Sequence, residues 1–318
     1  MMALLLRETE VEQLLDMPTA LASVERAFVE LGHGRATNLP RARIHQKHGG
    51  LNLMGGGLPT FGVIGFKAYT WFTSGSKFMV NLYHSETGEL LAIIEADRMG
   101  QIRTGAASGI ATKWMAREEA TSVGIFGTGY QAQSQLQAVC AVRKIRRVLA
   151  FSRKIERRQA FCKKMEAELK IEVRPAAEAR AVVEGSDIIV TATTATEPLF
   201  DGDWIGEGAH LNVIGGNSPL RTEVDSTTVL RSDRIVVDSL EQAKVESGEF
   251  LKCVERGLMY WEKVKELGSV VTGRFKGRDS GQEITFFKSL GIAVEDLAVG
   301  AAVYERALEQ KVGERILD

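Results

Sequence analysis

Ten residues in the first half of the chain, Val123-Gly124-Ile125-Phe126-Gly127-Thr128-Gly129-Tyr130-Gln131-Ala132, constrain the fold more than any other stretch. They run from a short apolar strand through a glycine turn into the first turn of a helix. Gly127 allows the tight turn, and Gly129 removes a side chain where a pyrophosphate would approach the backbone. Ala132 takes the place of a third glycine and stays small enough for the helix to pack closely on the strand. The helix N-terminus offers free N–H groups and a positive dipole end to phosphates. A second strand, Arg147-Val148-Leu149-Ala150-Phe151, follows at the spacing of a βαβ unit. The stretch predicts dinucleotide binding, with Gly127, Thr128, Gly129, Tyr130 and Gln131 as candidate cofactor contacts.

From Ala120 onward strand and helix patterns alternate, with strands expected at 121–126, 147–151, 171–174, 187–192, 210–214 and 234–238. Such alternation predicts an α/β fold with a Rossmann-type, doubly wound parallel sheet. The region before it is different. Strand-like runs at 51–54, 63–69, 78–83 and 90–95 predict an antiparallel region, the last two joined by the turn Ser85-Glu86-Thr87-Gly88. Ahead of these, Thr9 and Glu12 fit a capping box on a short helix interrupted by Pro18, and Leu21, Val24, Phe28 and Leu31 recur at helical spacing. Small residues from Thr104 to Ala111 predict a helix closely approached by a neighbour. A last helix, about 292–308, is expected to return to the first domain. The expected division is 1–115 with 292–318 as an α+β domain, and 116–291 as the nucleotide domain.

A length of 318 residues suits two such domains. The 40 basic and 41 acidic side chains nearly cancel, which favours neither nucleic acid nor an anionic membrane as partner. Cys140, Cys162 and Cys253 show no pairing or metal spacing, as expected in a reducing cytoplasm. The apolar start is cut short by Arg7, Glu8 and Glu10, too soon for a signal peptide or membrane span. His45 and His48 lack a carboxylate or cysteine partner, so a surface loop rather than a metal site is expected; His84 is assigned to the hairpin. Arg274, Lys276 and Arg278 are expected to form a solvated loop.

The second strand of the nucleotide unit ends in Ser152-Arg153-Lys154, with no acid before Glu156. A carboxylate there would bind a ribose 2′-hydroxyl and repel a 2′-phosphate, whereas a hydroxyl and a guanidinium attract the phosphate. Ser152 and Arg153, assisted by Arg157 or Arg158, therefore favour NADP(H) over NAD(H).

Five motifs in order carry a family resemblance: Gly65-Phe66-Lys67-Ala68-Tyr69, Arg103-Thr104-Gly105-Ala106-Ala107-Ser108, the glycine turn, Gly215-Gly216-Asn217-Ser218-Pro219, and Ile284-Thr285-Phe286-Phe287-Lys288-Ser289-Leu290-Gly291. Over nearly its whole length the chain resembles the ornithine cyclodeaminase and μ-crystallin family. The resemblance implies a Rossmann domain beside a substrate-binding domain that dimerises, hence a homodimer. It implies Lys67 as the catalytic lysine, Arg103 as the ligand of the substrate carboxylate, and Arg43 as a second one, with Arg41 able to take that role. It places Thr104 against the cofactor, Thr193 or Thr194 on the adenosine side, and Ile214 and Gly215 beside the nicotinamide. Apolar neighbours make an inward Lys67 a desolvated ammonium with a lowered pKa.

Cyclodeaminases of the family carry an aspartate where Asn217 stands, and asparagine exchanges no proton near neutral pH. The expected function is therefore reduction of an α-imino acid, plausibly cyclic (a pyrroline- or piperideine-2-carboxylate), to an L-amino acid. The alternatives are an ornithine cyclodeaminase or alanine dehydrogenase, and a non-catalytic NADPH-dependent binding protein.

Overall fold

The structure, a computed structural model, describes residues 3–316. Strand β1 (Ala3–Leu6) leads into α1 (Glu8–Leu14), whose first turn is closed by the Arg7 N–H donating to the Glu10 carboxylate at 2.8 Å. The expected Thr9/Glu12 box is thus replaced by Arg7 and Glu10. Asp16 caps α2 (Met17–Gly32), accepting from the Thr19 N–H at 2.8 Å. Pro18 sits in the first turn of α2, where a missing N–H costs nothing. It starts a helix rather than interrupting one.

Next come β2 (Thr37–Asn38), β3 (Ala42–Gln46), β4 (Gly49–Leu58), β5 (Val63–Phe72), β6 (Gly75–His84) and β7 (Leu90–Glu95). Strands β3 to β7 pair antiparallel in sequence order, as the alternating patterns predict. In the hairpin before β7, His84 Nδ1 accepts from the Thr87 N–H at 3.2 Å. Helix α3 (Asp97–Met115) follows, and the chain divides within it into two compact units. One runs to Ala106 and resumes at Gly291; the other spans Ala107–Leu290.

The second unit comprises β8 (Ser122–Phe126), α4 (Tyr130–Val142), β9 (Arg147–Phe151), α5 (Ile155–Leu169), β10 (Glu172–Pro175), α6 (Ala179–Glu184), β11 (Ile188–Thr191) and β12 (His210–Val213). It continues with α7 (Ser226–Arg231), β13 (Arg234–Val237), α8 (Leu240–Glu246), α9 (Gly248–Glu255), β14 (Val264–Glu266), α10 (Leu267–Val271) and β15 (Thr285–Lys288). Its eight strands are parallel, ordered β10-β9-β8-β11-β12-β15-β13-β14. This is the doubly wound α/β arrangement, with the order switching between β8 and β11. Alternate residues feed two cores: Ile188 and Val190 join Val123 and Ile125 on one face, while Ile189 joins Leu211 and Val213 on the other.

Helix α11 (Ala293–Gln310) and β16 (Glu314–Ile316) belong to the first unit. There β16 pairs with β1, and β1 lies parallel to β7, completing an eight-stranded sheet. Helix α11 packs on α2, β4 and β5 and is buried almost throughout its first three turns. Among the described residues, no helix is long and apolar enough to cross a membrane.

Candidate functional site

In the second unit the glycine turn opens a cleft of about 870 Å³. Gly127 has φ 101° and a Cβ there would lie 2.3 Å from the Ala192 carbonyl oxygen, so packing and backbone both demand glycine. Gly129 has an ordinary φ of −90° and a Cβ would meet no atom within 4 Å. Nothing in the protein requires glycine at 129. The space it leaves sits at the N-terminus of the 13-residue helix α4, where a phosphate would be held by N–H groups.

Gly127, Thr128, Gly129, Ser152, Arg153, Thr193 and Thr194 all line this cleft, as does Arg157. The Thr128 hydroxyl lies 3.0 Å from that of Ser152, tying the glycine turn to the end of β9. Tyr130 and Gln131 open α4 but lie outside the lining. Of the two helper arginines, Arg158 turns inward: it is 7% exposed and stacks 5.2 Å from the Phe151 ring. Arg153, Lys154 and Arg157 face Glu197 as the charged groups of the lining. The cleft thus carries an excess of positive charge.

Ile214, Gly215 and Asn217 follow β12 and lie outside that cleft lining. Asn217 is half-buried, and its neighbour Ser218 bridges to Ser247. Arg278 departs from the solvated loop expected for it. Its Nε donates to the Met115 carbonyl at 2.7 Å, and its Nη2 reaches Gly208 O and Thr285 Oγ1 at 3.1 Å. It is a structural brace.

In the first unit, Lys67 and Arg103 converge on a group that sequence reasoning did not single out. Lys67, on β5, is 3% exposed, and its Nζ donates to Asp296 Oδ1 at 2.8 Å. The same oxygen accepts from Arg103 Nε at 3.1 Å, and Arg103 Nη1 donates to Glu295 at 2.6 Å. Both carboxylates come from the first turn of α11 and are fully buried. The cost of burying them is met by the cations. Burial pushes Asp296 upward, but Arg103 and Lys67 outweigh it and hold its carboxyl below the ordinary value. Lys67 is driven the other way. Desolvation, with the Arg103 and Arg41 charges, outweighs the attraction of Asp296 and lowers its pKa.

Strand register places the two competing arginines. Lys67 faces Met54 across β4 and Tyr69 faces Asn52, which in turn faces Arg43. Arg43 therefore shares the Lys67 side of the sheet, one row further on and half-buried. Arg41 is more deeply buried, at 9% exposure, and its Nη2 donates to the Gly291 carbonyl at 3.1 Å. Gly291 packs against the Arg103 guanidinium. Arg41, rather than Arg43, joins the ionic cluster. Arg41, Lys67 and Arg103 against Glu295 and Asp296 leave one positive charge in excess.

Two buried acceptors on this side, Asp296 Oδ2 and Asn52 Oδ1, have no hydrogen-bond partner among the described residues. Unpaired buried acceptors of this kind suit a ligand that brings N–H donors. Thr104, one residue beyond Arg103, donates its hydroxyl to the Gly100 carbonyl at 2.7 Å. Among the described residues no group of histidines, cysteines and carboxylates could hold a metal ion. The Asp296 signal was present in the sequence as Glu295-Asp296, two adjacent acids in the otherwise apolar stretch from Ala293 to Val303.

Comparison with known proteins finds relatives over the whole length of the chain. The model of the ornithine cyclodeaminase/mu-crystallin family matches residues 1–311. The alanine dehydrogenase of Archaeoglobus fulgidus is 35% identical over 99% of this chain and 98% of its own length. The Thermococcus litoralis Δ1-pyrroline-2-carboxylate reductase, solved with NADH and L-proline, superposes with a TM-score of 0.93. It is 37% identical, covering 98% of this chain and all of its own. An archaeal alanine dehydrogenase dimer with bound NAD gives a TM-score of 0.94 at 34% identity, covering 100% of this chain and 99% of that one. With its family model matched from end to end of the nucleotide and ionic sites, this chain belongs to the ornithine cyclodeaminase/mu-crystallin family.

Proposed function

We propose that the protein is an NADPH-dependent reductase of α-imino acids, acting on a cyclic ketimine carboxylate such as pyrroline- or piperideine-2-carboxylate to give an L-amino acid. The observation that carries this reading is the buried cluster with one cation more than it has carboxylates. A substrate carboxylate supplies the missing negative charge, and Arg41 or Arg103 can grip it through a planar fork. The unpaired Asp296 Oδ2 is suited to an iminium N–H, which the carboxylate would also stabilise electrostatically. Lys67, with its pKa lowered, is the group to pass a proton to the substrate nitrogen. The nicotinamide, when bound, supplies the hydride. The relative that holds NADH and L-proline supports the substrate class.

The alanine dehydrogenase relative supports a second reading, in which the same groups bind pyruvate and ammonia. A steady-state panel decides between them, with nicotinamide oxidation as readout. Under the first reading, kcat/KM for pyrroline- or piperideine-2-carboxylate exceeds that for pyruvate with ammonia by at least about tenfold. The reverse order assigns the protein to alanine formation. Absence of turnover on every member overturns both.

Preference for NADPH over NADH rests on the basic cleft lining around Ser152 and Arg153. The solved relatives hold NADH and NAD, so the cofactor is tested in this chain directly. Calorimetric titration is expected to show tighter binding of NADPH, by about 10–100-fold for a charge-assisted contact. Arg153→Asp should invert the order, because it adds repulsion while removing a partner. Equal affinities in the unmodified protein reject the assignment.

The protein is further proposed to be a homodimer. Ile44, Ile64 and Phe72, on one face of β3 and β5, are each 41–49% exposed, an apolar surface suited to a second copy. Sedimentation at the monomer mass would contradict this.

A further inference from the structure

Glu223 lies between the Asn217 turn and α7 and is fully buried. Its Oε1 accepts from the Thr193 N–H at 2.7 Å and from the Thr193 hydroxyl at 2.8 Å. Its Oε2 accepts from the Gly215 N–H and the Thr191 hydroxyl, both at 2.7 Å. One side chain therefore binds the end of β11, the loop leaving β11 and the loop leaving β12. Two of the four donors are backbone N–H groups, which can only donate, so a carboxylate fits the position and an amide does not.

A second set of contacts holds the clamp. Glu249 accepts the Glu223 backbone N–H at 3.1 Å and pairs with the fully buried Lys288 at 3.2 Å. The consequence is visible at Gly215, where a Cβ would lie 2.2 Å from the Thr193 carbonyl oxygen and 2.4 Å from Glu223 Oε1. The two loops are drawn so close that only glycine fits between them.

We propose that Glu223 is the positioning residue for the nicotinamide half of the cofactor, acting by fixing the Thr193 and Gly215 loops to one carboxylate. The inference rests on the dinucleotide reading of the cleft. In a doubly wound sheet the dinucleotide straddles the point where strand order switches, here between β8 and β11. Ser152 and Arg153, at the end of β9, mark the adenosine half. The other half then falls toward the end of β12, where Glu223 holds Gly215 against Thr193, itself a residue of the cleft lining.

Glu223→Gln tests this, because the amide turns one acceptor into a donor facing other donors. Binding is measured for the tighter of NADPH and NADH, and for its adenosine half alone, 2′,5′-ADP or AMP. The whole dinucleotide should bind about tenfold or more weakly and kcat should fall, with the adenosine half changed by less than about twofold. A purely structural role would weaken both ligands in parallel. Thr191→Val, which removes one donor at nearly constant shape, should show the same selective loss in smaller degree, and it decides alone if Glu223→Gln does not fold. Unchanged dinucleotide affinity and turnover in the folded variants overturn the clamp, as does parallel loss of both ligands. If the unmodified protein binds neither dinucleotide, the reading of the cleft fails and the clamp fails with it.

Discussion

Lys67→Met is expected to cut turnover by about 10²–10⁴-fold, the usual cost of losing a general acid–base group, while cofactor affinity stays within about twofold. Methionine matches the lysine stem in length and tolerates a buried position, so the loss reports the ammonium rather than a cavity. Retention of most activity would remove Lys67 from the mechanism. Asp296→Asn extends the test. It leaves Lys67 and Arg103 buried without their shared carboxylate, which is expected to cost about 3–5 kcal/mol of stability. It also removes the attraction that opposes the other influences on Lys67.

The pH dependence has a definite sign. Lys67 titrates below the ordinary lysine value because burial, Arg103 and Arg41 outweigh Asp296. Acting as an acid, it loses activity as pH rises through its pKa, and without Asp296 that alkaline limb must move to still lower pH. The folded-state pKa lies below the unfolded one, so the folded protein binds fewer protons between the two values. In that window the Lys67 contribution to stability rises with pH. An unmoved or higher alkaline limb in Asp296→Asn would place the titration on another group.

The nucleotide turn was legible in the sequence because its constraints are local. Gly127 answers to a positive φ in its own turn and Ala132 to helix–strand packing, although the carbonyl that crowds Gly127 is that of the distant Ala192. The ionic cluster was half legible. Lys67 was indicated by the family resemblance, since a lysine in a strand usually points to solvent, and Asp296 lies 229 residues away and meets it only through the packing of α11 on β5. Burial and the hydrogen bond to Gly291 decided between Arg41 and Arg43, and no pattern in Pro40-Arg41-Ala42-Arg43 encodes which arginine turns inward. Strand β15 was read as part of a motif and not as a strand, because four buried residues between turns carry too little periodicity. Glu223 was silent because its four donors come from positions 8 to 32 residues away.

Ornithine should yield little or no proline with the unmodified protein, and the reason is Asn217. Cyclodeamination oxidises an amine to an imine, lets a side-chain amine attack, expels ammonia and reduces the new ring. Those steps need more proton transfers than one lysine serves. An aspartate at this position would add a second titrating group; asparagine adds only a dipole. Reduction of a preformed ring imine needs one proton and one hydride, and Lys67 with its Asp296 partner can manage the proton. The missing general acid–base group is expected to separate the two activities by about 10²–10⁴-fold, so the assay gives a clear answer. Brisk ammonia release from ornithine would falsify the reductase assignment. Asn217→Asp is the complementary experiment. Asn217 is half-buried in the turn after β12, and the substitution adds a carboxylate with little change in size. Gain of proline formation in that variant would place the choice between reduction and cyclodeamination on this side chain. No gain would assign it in part to Pro219-Leu220-Arg221, where cyclodeaminases of the family usually carry a glycine-lysine pair.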